Sequence, residues 1–335
     1  MVIMRAVYVD RPGEHSTIHD DQLPDPVPST GQVLVRPAAI AVNTVDTLVR
    51  SGRWRTEVAT PTVLGRDLVG SVVSVGPDVA GFEVGQQVWT NSAGYGGRAG
   101  ATAELVPVDV QRAYPLPAGA DPQRFVAALH PGATAVGVLV DRAQLQPGES
   151  VAVVGANGAV GMCLIQVAVA HGAREVIAVV RDRRSEAVLR SLGATQVVIA
   201  DAATAVAEAA GASETGVDVL VDSSGRVDLS QVPEQLNPRG RMVLIAGRDR
   251  RWELDPWLLY TREISLLGFI MSAMDVGELA RAAEWINDQH AERPLKVSVG
   301  EVLDFSAADR AYADVAAGRL SRMPDGTVGR LILCP

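Results

Sequence analysis

The stretch VAVVGANGAVGMCLIQVAVAHGA, residues 151–173, carries the fold. A valine-rich apolar run enters a turn with glycines at 155, 158 and 161, and a helical pattern follows over Ala159–His171. Glycine lets the backbone turn tightly and brings bare amides close to a pyrophosphate, while the N-terminus of the helix adds a positive dipole. The residues placed to meet such a ligand are Gly155, Asn157, Gly158, Ala159, Val160 and Gly161. The spacing is GxxGxxG, one residue longer than the common GxGxxG, and three glycines alone also suit an ordinary strand–helix turn. The surrounding segments decide between the two.

Downstream, strand-like runs alternate with helical ones. VAVV (151–154) is followed by EVIAVV (175–180), QVVI (196–199), VDVLV (217–221), RMVLIA (241–246) and ISLLGF (264–269). Helical patterns separate them at Ser185–Leu192 and Ala202–Ala210. Strands that are apolar throughout belong to a parallel sheet covered on both faces. Residues 126–270 therefore read as an α/β domain, a doubly wound parallel six-stranded sheet that holds a dinucleotide. An acidic residue about 20 residues after the glycines would bind the ribose of NAD. Here that position is Val180, and Arg181, Arg183 and Arg184 crowd the loop that follows. Arginine forks match a 2′-phosphate, so NADPH is the expected cofactor, with Asp182 keeping NADH open. Loops at the carboxyl ends of strands bind ligands in such sheets, which adds Ala246, Gly247, Phe269, Ile270 and Met271. Phe269 is equally well read as core.

Residues 1–125 have another character. Short alternating runs at Val33–Arg36, Gly70–Val75 and Gln87–Thr90 are separated by turn clusters such as DPVPSTG and NSAGYGGRAG, with a short helix at Val45–Ser51. This is an all-β, barrel-like module. The tail, 271–335, holds a helix (Val276–His290) and a closing strand (Arg330–Cys334), and is expected to return to the first domain. The 335 residues carry a formal charge of −9, which argues against a nucleic-acid or anionic-membrane partner. No apolar run reaches the roughly 18–20 residues of a membrane span. MVIMRAVYVD alternates like a strand and lacks the parts of a leader, so a cytoplasmic location is expected. Two cysteines, Cys163 and Cys334, cannot build a four-cysteine structural zinc site.

Four segments in this order resemble the quinone oxidoreductase branch of the medium-chain dehydrogenase/reductase superfamily: NTVDTLVRSG (43–52), VLGRDLVGSVVSVG (63–76), PGESVAVVGANGAVG (147–161) and GRLIL (329–333). The resemblance covers the whole chain. It implies a GroES-like β-barrel, a Rossmann domain, and an active cleft between them. In the zinc enzymes of the superfamily a cysteine opens the first motif and a histidine occupies the second. Those positions are Asn43 and Arg66 here, and the third ligand falls near His130. One imidazole beside a permanent cation is not a zinc site, so the chain is expected to be metal-free.

The family reaction is hydride transfer from NADPH to a quinone or to the β-carbon of an α,β-unsaturated carbonyl. Without a metal, hydrogen bonds must hold the developing oxyanion. The resemblance places Asn43 near the nicotinamide, Asp46 as the residue ordering that segment, Thr134 facing the cofactor and Arg330 as a late cofactor contact. Arg50 either supports the pocket or faces solvent. Many relatives carry a tyrosine where this chain has Leu48 or Trp54. Tryptophan can line the pocket but cannot deliver a proton. His130, Tyr95 and Arg66 remain as catalytic polar residues, each also readable as structural: His130 as a packed residue, Tyr95 as a surface side chain. A dedicated biosynthetic enoyl reductase and a non-catalytic NADPH-binding protein are the alternative readings. The last apolar strand, at a sheet edge, points to a homodimer.

Overall fold

Each of the six apolar runs lies within or overlaps a strand in the computed structural model, which describes residues 2–247 and 252–335. We number them β1 (Ser150–Val154), β2 (Glu175–Val180), β3 (Gln196–Ile199), β4 (Val217–Asp222), β5 (Leu236–Leu244) and β6 (Ser265–Gly268). They form one parallel sheet in the order β3-β2-β1-β4-β5-β6. The order reverses between β1 and β4, and in such sheets the crevice above that point takes the ligand. Every residue of β1 and β2 is buried, as valine-rich strands covered on both faces must be. Helix α1 (Ala159–Ala170) follows β1 and buries eight of its residues, Gly161 through Ala168. A core around Ala152, Ile177, Leu220 and Met242 fills this unit.

The chain divides into two compact units. One comprises the chain up to His130, Met274–Ser321 and Gly329–Pro335; the other comprises Pro131–Ala273 and Arg322–Val328. The first boundary falls inside the helix Pro122–Val136, so His130 is a mid-helix residue and does not stand at a helix entrance. Residues 322–328, read from sequence as part of the returning tail, belong with the Rossmann-type sheet. Asn157 explains this: its Nδ2 donates to the Gly326 carbonyl at 3.0 Å, and its own carbonyl accepts from Val328 N at 3.1 Å. Two helix starts also differ from the sequence reading. A 3₁₀ turn at Arg183–Ser185 precedes Glu186–Leu192. Asp201 Oδ1 accepts the amides of Ala203 and Thr204, holding a turn that delays the next helix to Ala205–Ala212.

The other unit is the GroES-like β module. Its larger sheet runs Val299–Asp304, Arg330–Cys334, Gln32–Ala41, Asp67–Val75, Gln87–Thr90 and Tyr114–Pro115, with Val106–Asp109 also paired to Gln32–Ala41. A three-stranded sheet places Ile3–Val9 between His19–Pro24 and Thr62–Val63. The sequence reading gave this strand as Val33–Arg36. The strand instead passes through Pro37 to Ala41, with its register slipping between Pro37 and Ala39 where the missing N–H is accommodated. The tail strand Arg330–Cys334 does join this sheet, antiparallel to Gln32–Ala41. No helix among the described residues is long and apolar enough to cross a membrane.

Candidate functional site

Strand register builds the polar cluster of the GroES-like unit. Ile332 and Asp67 both pair with Ala41, on opposite sides of the strand Gln32–Ala41. Antiparallel continuation sets Arg330, two residues before Ile332, opposite Asn43, two residues after Ala41. The side chains follow: Arg330 Nη2 donates to Asn43 Oδ1 at 2.5 Å, and Asn43 Nδ2 donates to Asp67 Oδ2 at 3.1 Å. Asn43 also caps the helix Thr44–Arg50, where its backbone N–H donates to Asp46 Oδ2 at 2.8 Å. Asp67 Oδ2 accepts the His130 amide as well, at 3.2 Å. Asn43, Asp46, Arg66 and Asp67 are all at least 95% buried.

Burial sets the electrostatics. It pushes the Asp67 carboxyl up to about 8, with the nearby Asp46 charge adding to the rise. It pushes Asp46 up to about 6 against the pull of Arg66. Burial lowers the Arg66 guanidinium, and it drives His130 well below the usual imidazole value, helped by the positive charges of Arg66 and Arg330. His130 is therefore neutral at physiological pH. Arg66 forms no ion pair among the described residues; its Cζ lies over the Tyr95 ring, 4.9 Å from the centroid. The Tyr95 hydroxyl accepts from Trp54 Nε1 at 3.3 Å. Tyr95 is thus no free surface side chain, and Trp54, Tyr95 and Arg66 form one stack of contacts. Arg50 lies apart, donating to the Ser16 carbonyl at 2.9 Å.

A zinc ion does not fit these residues. Asn43, Arg66 and His130 hold the relevant positions, and a guanidinium has no lone pair to offer a metal. Arg330, expected as a cofactor contact, stands in this cluster with Asn43. Asp67 was missed by the sequence reading, although it adjoins Arg66 in the same LGRD motif.

The glycine loop of the Rossmann unit divides its labour. Gly155 has φ +79°, which side-chain-bearing residues rarely adopt, and a Cβ there would lie 2.7 Å from Ser223 Oγ. A Cβ on Gly161 would meet the Gly155 carbonyl oxygen at 2.5 Å, so close loop–helix packing requires glycine. Gly158 is the N-cap of α1, and a Cβ there would lie 3.4 Å from the Gly155 carbonyl oxygen, an ordinary contact. A cavity of about 700 Å³ opens beside it, lined by Gly155, Asn157, Val180, Arg181, Ser224 and Arg226 among others. These residues fit a dinucleotide, and the loop amides with α1 would hold its phosphates.

Only Arg181 of the three predicted arginines lines that cavity. Arg184 is paired with Asp182 at 2.8 Å, and Arg183 lies 3.7 Å from Glu186 and is exposed. Arg226 was missed; it sits in a loop that Asp222 organises, accepting the amides of Ser224, Gly225, Arg226 and Val227. An aspartate ending a strand before Ser-Ser-Gly was the available signal. Phe269 is buried, with the Arg142 guanidinium 5.9 Å from its ring centroid, and Met271 is buried too. Ile270 is half-buried, whereas Ala246 and Gly247 are exposed; Thr134 is buried in the helix Pro122–Val136.

Known proteins agree with this architecture. The Alcohol dehydrogenase GroES-like domain family matches residues 29–118, and the Zinc-binding dehydrogenase family matches residues 159–288. The quinone oxidoreductase of Mus musculus is 30% identical over 311 residues, spanning 92% of this chain and 90% of that protein. A mycocerosic acid synthase-like polyketide synthase of Mycobacterium tuberculosis is 29% identical over 285 residues, 82% of this chain but 13% of that much longer protein. A mycobacterial protein solved in complex with NADPH superposes with a TM-score of 0.80 at 26% identity, covering 99% of this chain and all of its own. The chain belongs to the medium-chain dehydrogenase/reductase superfamily, in its quinone oxidoreductase-like branch. It is an oxidoreductase of that superfamily.

Proposed function

We propose that the protein is an NADPH-dependent, metal-independent reductase of a quinone or an α,β-unsaturated carbonyl compound. The observation that carries this reading is the buried Asn43–Asp67–Arg66 cluster, in which a guanidinium that can hold a substrate oxygen, and has no lone pair to offer zinc, stands at a zinc-ligand position. NADPH supplies a hydride when bound. The chain's own residues hold and orient the acceptor: Arg66 offers N–H donors to an oxygen of the acceptor, while Trp54 and Tyr95 flank a flat ring. His130, neutral and half-buried, donates through its amide to Asp67 and so positions that carboxyl; proton transfer by its imidazole has no support in its depressed basicity.

Arg181 supports NADPH over NADH, because it is the predicted arginine that lines the dinucleotide cavity. The pairing of Asp182 with Arg184 supports the same choice, since that carboxylate is already engaged. Titration with NADPH and NADH, followed by tryptophan fluorescence, tests it. NADPH should bind roughly tenfold or more tightly, the scale of one charge-assisted contact, and Arg181→Ala should erase the difference. Equal affinities in the wild type would refute the preference.

A second reading is a dedicated biosynthetic enoyl reductase. The similarity of 82% of the chain to part of a polyketide synthase favours it. Tight NADPH binding with turnover of thioester-bound enoyl compounds and none of simple quinones would establish it. Cofactor binding without turnover of either class would instead mark a non-catalytic binding protein.

A further inference from the structure

Arg66 is a buried cation with no hydrogen-bonded oxygen among the described residues. It is 2% exposed, and its Nη2 is buried without a hydrogen bond among them. Its guanidinium lies over the face of Tyr95. A buried charge lacking a hydrogen-bonded counter-ion is costly, and most buried ions avoid that state. The two nearest acids do not resolve it. Asp46 turns Oδ2 to the Asn43 amide, and Asp67 spends Oδ2 on Asn43 and His130. Burial keeps Asp67 largely protonated at neutral pH, so of the two acids near Arg66 it is Asp46 that is ionised, and its Oδ2 is turned to the Asn43 amide. Beside Arg66 stand Tyr95 and Trp54, joined through the Tyr95 hydroxyl and offering aromatic surface.

We propose that Arg66 anchors a carboxylate on the substrate, and that the substrate class is a flat, unsaturated carbonyl compound bearing that carboxylate. The planar guanidinium fork matches two carboxylate oxygens, and the low-dielectric surroundings strengthen the pairing. The proposal rests on the reductase reading only in taking the ligand to be the substrate; the binding itself does not depend on it.

Calorimetric titration of the protein with cinnamate and with its neutral amide, without any cofactor, tests the site. Cinnamate should bind at least roughly tenfold more tightly than cinnamamide, as expected for a charge-assisted pair replacing a neutral one. Arg66→Met should remove that discrimination, and Arg66→Lys should keep part of it. Equal binding of acid and amide by the wild type, binding of neither, or undiminished cinnamate binding by Arg66→Met would each overturn the proposal. The acid–amide comparison on the wild type needs no variant to fold. Failure of the reductase reading would appear separately, as absent NADPH oxidation.

Discussion

Arg66 and Asp67 are sequence neighbours of opposite charge, yet their side chains do not pair, and each is buried among other polar groups. Asp67 Oδ1, like Arg66 Nη2, makes no hydrogen bond among the described residues. The raised Asp67 carboxyl has a consequence for stability. Its value in the fold, about 8, lies above that of an unfolded aspartate, so the fold prefers the protonated form. Its stabilising contribution is complete below about pH 4 and is lost as pH rises toward 8. Asp67→Asn keeps an oxygen for the Asn43 and His130 donors and cannot ionise. Thermal melts of both proteins should show the variant gaining on the wild type by a few degrees between pH 5 and pH 8, with Asp46, Arg66, Arg330 and His130 common to both. A difference that stays constant over that range would mean Asp67 is ionised in the fold. Sequence reasoning found Asn43, Arg66 and Asp46 because motifs mark them. It could not see Arg330 beside Asn43, because only the register of strands nearly 300 residues apart puts them together.

At the level of elements, the Rossmann unit was the more legible half. Strands buried on both faces write themselves as continuous apolar runs, and the glycine loop sits between the first run and its helix. The β module was harder: its strands mix buried and exposed positions, and Pro37 disguised the length of Gln32–Ala41. Helix starts shifted where aspartates capture amides, as Asp182 and Asp201 do. At the far edge of the sheet, β6 is bonded among the described residues only to β5, and exposes Ser265 and Gly268, with Leu266 and Leu267 half-buried. A free edge of this kind is an invitation to pair. We propose that it pairs with its copy across a two-fold axis, giving a homodimer. Light scattering should return twice the mass of one chain; a single-chain mass would reject this.

For the whole molecule, the chain's path matters as much as its motifs. The GroES-like unit is assembled from three separate segments and the Rossmann-type unit from two, with 322–328 anchored by Asn157 at the glycine loop. The glycine loop thus borders the cavity of the Rossmann-type unit and, through Asn157, fastens residues 322–328. We propose that this chain transfers a hydride from NADPH to an unsaturated carbonyl acceptor without a metal. The most direct measurement uses protein freed of metal by a chelator, NADPH deuterated at the transferable C4 position, and a set of quinones and enones that includes carboxylate-bearing ones. The account predicts NADPH oxidation undiminished by the chelator, with deuterium recovered at the β-carbon of the reduced enone. Turnover that appears only when zinc is restored, or no deuterium transfer to any acceptor, would contradict it.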